Sequence, residues 1–312
     1  MAQRMPNFPN RLFDNLAAKK VSIGGIVTMS DLTVSELAGD CGLDFVWIDA
    51  EHCPHTIEGV MKHLIAIRGT GCAGLVRVRE CDPMLIKPYL DLAPDGIICP
   101  MVNTPELAEA AVAACRYPKT GIRGCGVRRA VRYGGWDFFD YVKESEHWPM
   151  VICQIEIVDA VKNLDKILKV PGLDCICVGP CDLSGSMGCL NQMDNPELNK
   201  VIDEICLKVK KAGKILGTAA GGFPRWKARG VDWFAGVADW GAMAAGFRAF
   251  KAECDKAGGL VCGWFDEHWF CWSDCSSLRR RRPNRCGARD GRAGRSASRR
   301  WLTRSSSMQL AN

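Results

Sequence analysis

Short apolar runs alternate with amphipathic stretches along the chain from Val21 to about Glu253. The apolar runs predict eight strands, at residues 22–27, 44–49, 74–78, 96–100, 151–156, 174–179, 215–219 and 232–237. Between the strands, apolar residues recur at i, i+3 and i+4, and Asp, Thr or Asn often opens the first turn. These stretches predict helices, so eight strands and eight helices alternate strictly.

Strict alternation with near-continuous apolar strand cores indicates parallel strands joined by helical crossovers. Eight such units in about 235 residues suit a closed (β/α)8 TIM barrel, an α/β fold, better than an open doubly wound sheet. We therefore expect residues 1–257 to form one barrel. In such barrels the catalytic residues lie at the C-terminal ends of the strands and in the loops that follow.

The chain changes character from about residue 258. Trp and Cys come first, and then 11 Arg stand against one acid between residues 279 and 304. Because this segment has no apolar period, we expect residues 258–312 to be a disordered tail. The net charge is +6 overall and +10 in the Arg-rich segment, which leaves a mildly acidic body that does not suit binding to nucleic acid. A solvated or mis-spliced tail is favoured over a basic arm that binds an acidic surface.

The remaining composition is that of an ordinary folded enzyme, with 47% hydrophobic and 24% charged residues. No apolar run reaches the roughly 18 residues of a membrane span, and the first residues lack the apolar core of a secretion signal. We therefore expect a cytoplasmic protein without a membrane partner. The 18 cysteines include no CxxC pair, so buried, reduced thiols such as Cys153, Cys175 and Cys177 are expected rather than zinc sites.

Polar and ionisable residues gather where the predicted strands end. They are Asp49, Glu51 and His52 after strand 2, Arg77 in strand 3, Gln154 and Glu156 in strand 5, and Asp182 after strand 6. Surface charges scattered along the chain would not cluster at the ends of the strands. The C-terminal ends of the strands therefore hold the candidate active site.

Glu156 and Asp182 follow adjacent strands, so their carboxylates could meet at the barrel mouth. Two like charges at such a distance need a cation or a shared proton. Two carboxylates, waters and a chelating substrate are a usual shell for Mg²⁺ or Mn²⁺. An ion pair of Glu156 with Arg or Lys is the alternative, and spacing alone leaves both open.

His52 follows Asp49 by three residues, so the carboxylate could accept a hydrogen bond from the imidazole and fix its tautomer. His52 would then be a base near neutral pH, and a structural histidine at a helix start is the alternative. Arg77 offers a cationic fork for a carboxylate or a developing enolate oxygen, or an internal ion pair with Glu51 or Glu156.

A glycine-rich run at residues 121–126 does not directly follow a strand, so it is no dinucleotide motif. We expect this loop to present backbone N–H groups and Arg123 to an anion.

Several runs at these sites resemble the HpcH/HpaI family of class II, metal-dependent 2-oxo-acid aldolases: WIDAEHCPHT, LVRV, residues 85–126, QIE and VGPCDLSGSMG. The resemblance extends from about Gly24 to Phe250 and leaves the tail uncovered. It implies a barrel of the phosphoenolpyruvate- and pyruvate-binding type. It also implies homo-oligomers, commonly hexamers, that exchange their last helix.

The resemblance assigns roles at the mouth. Glu156 and Asp182 would hold Mg²⁺, Mn²⁺ or Co²⁺, and Gln154 would support that shell. Arg77 would bind the keto oxygen of pyruvate and stabilise the enolate that forms when the carbon–carbon bond breaks. No Schiff base is required, and Lys87 is not a nucleophile in this mechanism.

The same resemblance assigns the proton transfer and the substrate carboxylate. His52, oriented by Asp49, would move the proton through a water, with Asp91 supplied by the neighbouring subunit. Ser184 and the backbone after Gly179 would cradle the carboxylate.

The expected function is that of a carbon–carbon lyase, which makes or cleaves 4-hydroxy-2-oxo acids from pyruvate and an aldehyde. Trp47 and the loop from Tyr117 to Trp136 resemble family members of secondary metabolism that decarboxylate oxaloacetate and add the enolate to a 2-pyrone. In that alternative Trp47 contacts the substrate, and the loop with Arg123 sets the acceptor.

A third possibility, from another class, is an inactive barrel that binds partners through its basic tail. It predicts loss of the catalytic groups, yet the five central residues are all present: Asp49, His52, Arg77, Glu156 and Asp182.

Overall fold

Eight parallel strands close into a barrel in the computed structural model, which describes residues 9–257. Each strand pairs with the next along the chain, and the eighth pairs with the first. The strands are β1 Ser22–Val27, β2 Phe45–Asp49, β3 Ala73–Arg77, β4 Gly96–Cys99, β5 Met150–Ile155, β6 Cys175–Val178, β7 Ile215–Ala219 and β8 Trp233–Ala238. The predicted (β/α)8 barrel is confirmed, and the predicted tail lies outside the described residues.

Helices surround the barrel. They are α1 Arg11–Ala17, α2 Thr33–Asp40, α3 Ile57–Ala66, α4 Pro83–Leu90, α5 Pro105–Cys115, α6 Phe138–Glu144, α7 Val158–Ile167, α8 Pro180–Ser186, α9 Pro196–Lys211, α10 Phe223–Ala228 and α11 Asp239–Lys256. Short 3-10 helices lie at Arg132–Gly134 and Ser145–His147. The sequence predicted all of these α-helices except α1, α6 and α8.

The barrel interior is filled by aromatic rings. Trp233 packs edge to face against Phe45, with ring centres 5.5 Å apart, and against Trp47 at 6.1 Å. Gly217 makes room for this stack, because a Cβ there would lie 1.8 Å from the Trp233 ring. The indole N–H of Trp233 donates to Sγ of Cys175 at 3.3 Å. The packed interior thus forms a solid floor beneath the C-terminal ends of the strands.

The N-terminal end of the barrel is closed by α1. Asn10, which caps α1, donates through Nδ2 to Asp95 at 2.9 Å, and the backbone N–H of Gly74 donates to the same carboxylate at 2.8 Å. Burial raises the pKa of Asp95 to about 7. The segment 116–149 follows α5 and precedes β5, so it lies at this end as well.

α11 differs from the other long helices because none of its residues is buried, and all of them are described. Four large apolar residues lie along one face of it: Trp240, Met243, Phe247 and Phe250. An apolar groove of about 460 Å³ lies open beside β1, β8 and α2, where Val27, Leu37 and Val237 contribute to its lining. Ala242 and Met243 of α11 form one wall of this groove. Within residues 9–257, both the outer apolar face of α11 and the groove beside it are therefore uncovered.

Across the described part of the chain, the longest apolar helices are still too short or too polar to cross a lipid bilayer.

Candidate active site

The C-terminal ends of the strands, called the mouth below, are organised around Arg77. Asp49 and Arg77 are direct partners across β2 and β3. Arg77 donates through Nε to Oδ1 of Asp49 at 2.9 Å and through Nη2 to Oδ2 at 2.6 Å. Its Nη1 lies 2.9 Å from Oε2 of Glu51. The guanidinium is thus held by two carboxylates, one of which is the Glu51 pairing weighed from the sequence.

Trp47 lies directly beneath this arginine. The guanidinium carbon of Arg77 is 5.0 Å from the centre of the Trp47 ring, a cation–π distance. Trp47 is 1% exposed, and its indole N–H has no hydrogen-bond partner in the described part of the chain. We expected Trp47 to contact substrate, whereas its ring lies in the barrel interior and supports Arg77.

Asp49 also holds the loop after β2. Its Oδ1 accepts the backbone N–H of Glu51 at 3.1 Å and of His52 at 3.4 Å, and the Cys53 thiol donates to Oδ2 at 3.6 Å. Burial acts to raise the pKa of Asp49, but the bonds from Arg77 and from these N–H groups outweigh it and lower the pKa. Asp49 is therefore an anion at neutral pH.

The imidazole of His52 faces a different carboxylate from the predicted one. Asp49 contacts the backbone N–H of His52 and not its ring, whose Nε2 lies 3.7 Å from Oε2 of Glu51. The His52 side chain is 65% exposed at the rim of the mouth. Glu51, which had been named only as an ion-pair alternative, is thus the acidic neighbour of both His52 and Arg77.

Glu156 occupies the opposite side of the mouth and is almost completely buried. Its Oε1 accepts the backbone N–H of Met101 at 2.6 Å, and its Oε2 accepts a short hydrogen bond from Nε2 of Gln154. Burial, together with the charges of Asp182 and Glu51, raises the pKa of Glu156 to about 7. A buried carboxylate with acidic neighbours is a place where a cation is stabilised.

Asp182 lies in the first turn of α8 and is exposed to the mouth. Gly179 precedes that helix and packs against Glu156, so the two predicted metal ligands are brought to the same side. Ser184 is buried on α8: its hydroxyl donates to the carbonyl of Cys181 at 2.5 Å and accepts from the N–H of Asn191 at 2.8 Å. The hydroxyl of Ser184 thus fixes the turn after α8, and its contact with a substrate carboxylate stays a prediction.

The carboxylates at the mouth outnumber the basic groups that they contact. Asp49 and Glu51 contact the guanidinium of Arg77, whose charge also acts on Glu156. The charge of Asp182 acts to raise the pKa of both Glu51 and Glu156. Oxygen donors of this type suit hard divalent cations. Within residues 9–257 no three or more His, Cys, Asp or Glu side chains form a ready metal site. A cation would thus need substrate or water oxygens in addition to protein carboxylates.

Two predicted site residues lie at the other end of the barrel. Arg123 is buried there, with its guanidinium 4.6 Å from the ring centre of Tyr117 and its Nη2 donating to the carbonyl of Leu90 at 3.1 Å. Asp91 directly follows α4, and burial raises its pKa although Arg123 and Lys87 act against this. The structure therefore brings neither Arg123 nor Asp91 to the mouth of its own barrel.

Comparison with known proteins identifies relatives over most of the chain. Residues 27–233 match the HpcH/HpaI aldolase/citrate lyase family. The 5-keto-4-deoxy-D-glucarate aldolase of Shigella boydii serotype 18 is 37% identical over 219 residues, which cover 70% of this chain and 84% of that protein.

Solved structures agree with this assignment. An HpcH/HpaI aldolase/citrate lyase family protein from Burkholderia cenocepacia J2315 superimposes with a TM-score of 0.72 and 27% identity, covering 79% of this chain and 99% of that one. Macrophomate synthase superimposes with a TM-score of 0.69 over 81% of this chain and 93% of its own. Its identity is 22%, so this likeness concerns the fold alone.

Proposed function

Because the chain belongs to the HpcH/HpaI aldolase/citrate lyase family, we propose that it is a divalent-metal-dependent aldolase of 4-hydroxy-2-oxo acids. Cleavage would yield pyruvate and an aldehyde through a pyruvate enolate, and synthesis would run in reverse. The observation that carries the proposal is the group of four carboxylates around Arg77 at the mouth. Arginine stabilises a developing enolate oxygen, and the surplus of carboxylate charge suits a dication.

Glu156 and Asp182 are the residues that fit Mg²⁺, Mn²⁺ or Co²⁺. Family members generally depend on a divalent metal. When bound, such an ion polarises the keto oxygen of the substrate and stabilises negative charge on it. Oε1 of Gln154 supports the assignment, because this buried acceptor has no hydrogen-bond partner in the described part of the chain and can accept from an ordered water.

Arg77 can bind the substrate without releasing its carboxylates. A guanidinium has five N–H donors. Asp49 accepts one from Nε and one from Nη2, and Glu51 forms an ion pair with Nη1. One N–H on each Nη therefore remains for the keto oxygen of the oxo acid. Asp49 and Trp47 hold the guanidinium in place, so little reorganisation is needed as negative charge develops on that oxygen.

His52 is the group that we assign to the proton of the substrate hydroxyl. In cleavage the imidazole removes that proton while the carbon–carbon bond breaks, and in synthesis it returns the proton to the alkoxide. Glu51 stabilises the resulting imidazolium from 3.7 Å. The exposed position of His52 lets it reach a substrate that enters from solvent.

The experiment measures pyruvate release, coupled to lactate dehydrogenase, from a panel of 4-hydroxy-2-oxo acids. The panel includes 5-keto-4-deoxy-D-glucarate, the compound in the name of the 37% identical relative. We expect release that EDTA abolishes and excess Mg²⁺ or Mn²⁺ restores. Glu156→Gln should lower turnover by at least about 100-fold, because a dication contributes several kcal/mol, and excess metal should not restore it.

Glu146→Gln is the matched control, since Glu146 is exposed at the other end of the barrel. Wild-type turnover that survives EDTA would count against the metal. Failure to release pyruvate from any compound of the panel would count against the aldolase as a whole.

A second copy of this chain is the partner that the surface of the barrel suits best. The apolar face of α11 and the groove beside β1 and β8 are complementary in chemistry, and both are uncovered in one chain. Packing the helix of one copy into the groove of another would cover both. A homo-oligomer would also allow Asp91 of one copy to approach the mouth of another, as the resemblance to the family implies.

A further inference from the structure

His55 and His52 lie in the same loop between β2 and α3, but their surroundings are opposite. His52 reaches solvent at the rim, whereas His55 is 1% exposed. A buried imidazole costs free energy unless it is hydrogen-bonded, and the mechanism above does not use this one.

The contact of His55 ties this loop to the first strand. Its Nε2 lies 3.3 Å from the carbonyl oxygen of Val27, the last residue of β1. A carbonyl oxygen can only accept, so Nε2 carries the proton and donates it. The next residue, Thr56, caps α3 by accepting the N–H of Gly59 at 3.0 Å. The far end of the loop is thus held on both sides, as Asp49 holds the near end.

A second buried histidine keeps the ring of His55 in place. The rings of His55 and His63 pack edge to face with their centres 5.0 Å apart. Nδ1 of His63 lies 2.9 Å from the hydroxyl of Ser35 on α2. Burial, followed by the proximity of His55, lowers the pKa of His63 to about 4, so His63 is neutral at pH 7 and packs as an uncharged ring.

The backbone that His55 contacts is itself fixed. Thr28 follows Val27, and its N–H and hydroxyl donate to Asp239 at 2.7 Å and 2.5 Å. The N–H of Met29 donates to the same carboxylate at 2.8 Å. Asp239 is the first residue of α11. His55 therefore bonds to a corner that the carboxylate of Asp239 holds rigid.

We propose that His55 is a positioning residue, which holds the loop bearing Glu51 and His52 at the distance that proton transfer requires. The proposal rests on the function proposed above, since it takes His52 as the base. A general base displaced by about 1 Å loses much of its effect on the chemical step, while substrate binding elsewhere is unchanged.

The test compares two reactions of one holoenzyme. Cleavage of a 4-hydroxy-2-oxo acid needs a base for the hydroxyl proton. Decarboxylation of oxaloacetate does not: the bond to the carboxylate breaks, CO₂ leaves, and the electron pair remains on the same enolate, which later takes a proton from water. A residue that acts through His52 should therefore affect the first reaction and spare the second.

His55→Leu removes the donor at nearly constant volume. We expect kcat for cleavage to fall by about 10- to 100-fold with KM unchanged, because a displaced base costs this much, and decarboxylation to stay within about twofold of wild type. His52→Ala should show the same pattern more strongly. His55→Gln should restore most of the cleavage, since its amide N–H reaches the position of Nε2. His147→Leu, at an exposed position of the far end, is the control and should change neither reaction.

Equal losses in both reactions, or unchanged cleavage in His55→Leu, would overturn the proposal. If the leucine variant does not fold, His55→Gln and His55→Asn are compared instead. The asparagine amide is too short to reach Val27, so only the glutamine variant should keep the cleavage activity. Equal cleavage by these two would overturn the proposal as well. If the wild-type chain cleaves no 4-hydroxy-2-oxo acid, both the proposed function and this inference are wrong. If the wild type cleaves it and the His55 variants cleave it equally fast, only the inference is wrong.

Discussion

Two buried carboxylates, Asp95 and Glu156, stand at opposite ends of the barrel, and each has a pKa raised to about 7. Asp95 accepts from Asn10 and Gly74, and Arg129 lies near it, but burial outweighs all three and raises its pKa. Glu156 also has the charge of Asp182 beside it. A raised carboxyl pKa is thus found both at a structural residue at one end of the barrel and at a residue of the candidate active site at the other.

Asp95 should make the stability of the fold depend on pH. An aspartate in the unfolded chain ionises near pH 4, whereas Asp95 in the folded chain keeps its proton up to about pH 7. Stability should therefore fall as pH rises through this window, by an amount on the order of a few kcal/mol, and level off above it. Asp95→Asn cannot ionise, so its stability relative to wild type should improve from pH 5 to pH 8.

Urea unfolding of both chains at the two pH values measures this change. Asp140→Asn, at an exposed position of α6, is the control. A stability difference between wild type and Asp95→Asn that is the same at pH 5 and pH 8 would contradict the prediction.

The residues of the mouth could be predicted from the sequence, but their pairing could not. Asp49 and Arg77 stand at strand ends in the sequence, and they meet because β2 and β3 pair in the register that sets them side by side. The sequence does not state that register, so a bond from Asp49 to the nearby ring of His52 was an equally reasonable expectation. Glu51 lies between them in the chain, and only the path of the loop shows that it faces both Arg77 and His52.

At the scale of elements, the junction between β6 and α8 shapes the candidate metal site. Gly179 lies between the last residue of β6 and the first residue of α8, and Asp182 lies in the first turn of α8. A Cβ at Gly179 would lie 2.6 Å from Oε2 of Glu156 and 2.8 Å from Nε2 of Gln154. The absence of a side chain therefore lets the backbone approach the buried carboxylate.

Gly179→Ala should displace Glu156 and weaken the site without unfolding the barrel. Overpacking of this kind costs about 1–3 kcal/mol, and here the cost falls on the two side chains that would hold or support the metal. We expect Mn²⁺ affinity, measured by titration calorimetry, to fall by at least about tenfold, which corresponds to about 1.4 kcal/mol.

Gly221→Ala is the matched control, because a Cβ at that loop position meets no atom within 4 Å. Unchanged Mn²⁺ affinity in Gly179→Ala would show that the close approach does not shape the site.

The strands were predicted best, because both of their faces are buried and they therefore appear as continuous apolar runs in the sequence. The strands read as apolar runs because the barrel core lies on one side and the helices lie on the other. α8 was missed because Gly179 and Pro180 resemble a turn, although Pro is also favoured in the first turn of a helix. Arg123 was expected to contact an anion or the acceptor, but the structure buries it at the end opposite the mouth. The order of elements could have indicated this, since a segment between a helix and the next strand lies at that end.

The described part of the chain has its candidate active site at one end and uncovered apolar surface on one side. Arg77 and the nearby carboxylates lie at the mouth, and α1 with the segment 116–149 lies at the other end. The incomplete side lies between β8 and β1, where α11 leaves the groove uncovered. Contiguous exposed apolar surface is typical of an interface, and it supports the homo-oligomer that we propose.

Phe247→Glu combined with Phe250→Glu should reduce the size of the assembly. Both side chains are more than 60% exposed in one chain, and a charge on each would be buried without a partner in the groove of a second copy. Sedimentation velocity at several concentrations measures the result. Ala252→Glu, on the opposite face of α11, is the control.

A double variant that sediments like wild type would show that this face of α11 does not mediate assembly.

Each copy has both the exposed apolar face of α11 and the groove beside β1 and β8. Each copy can therefore insert its helix into one neighbour and accept the helix of another. A chain cut before Ala245 keeps every residue that lines the groove, Met243 included, but it lacks Phe247 and Phe250, so it interrupts any ring or chain of subunits that it joins. Co-expression of such a fragment with the intact protein should therefore reduce the size of the assembly, and the reduction should grow with the fraction of fragment. This is expected even though the fragment retains every carboxylate of the mouth.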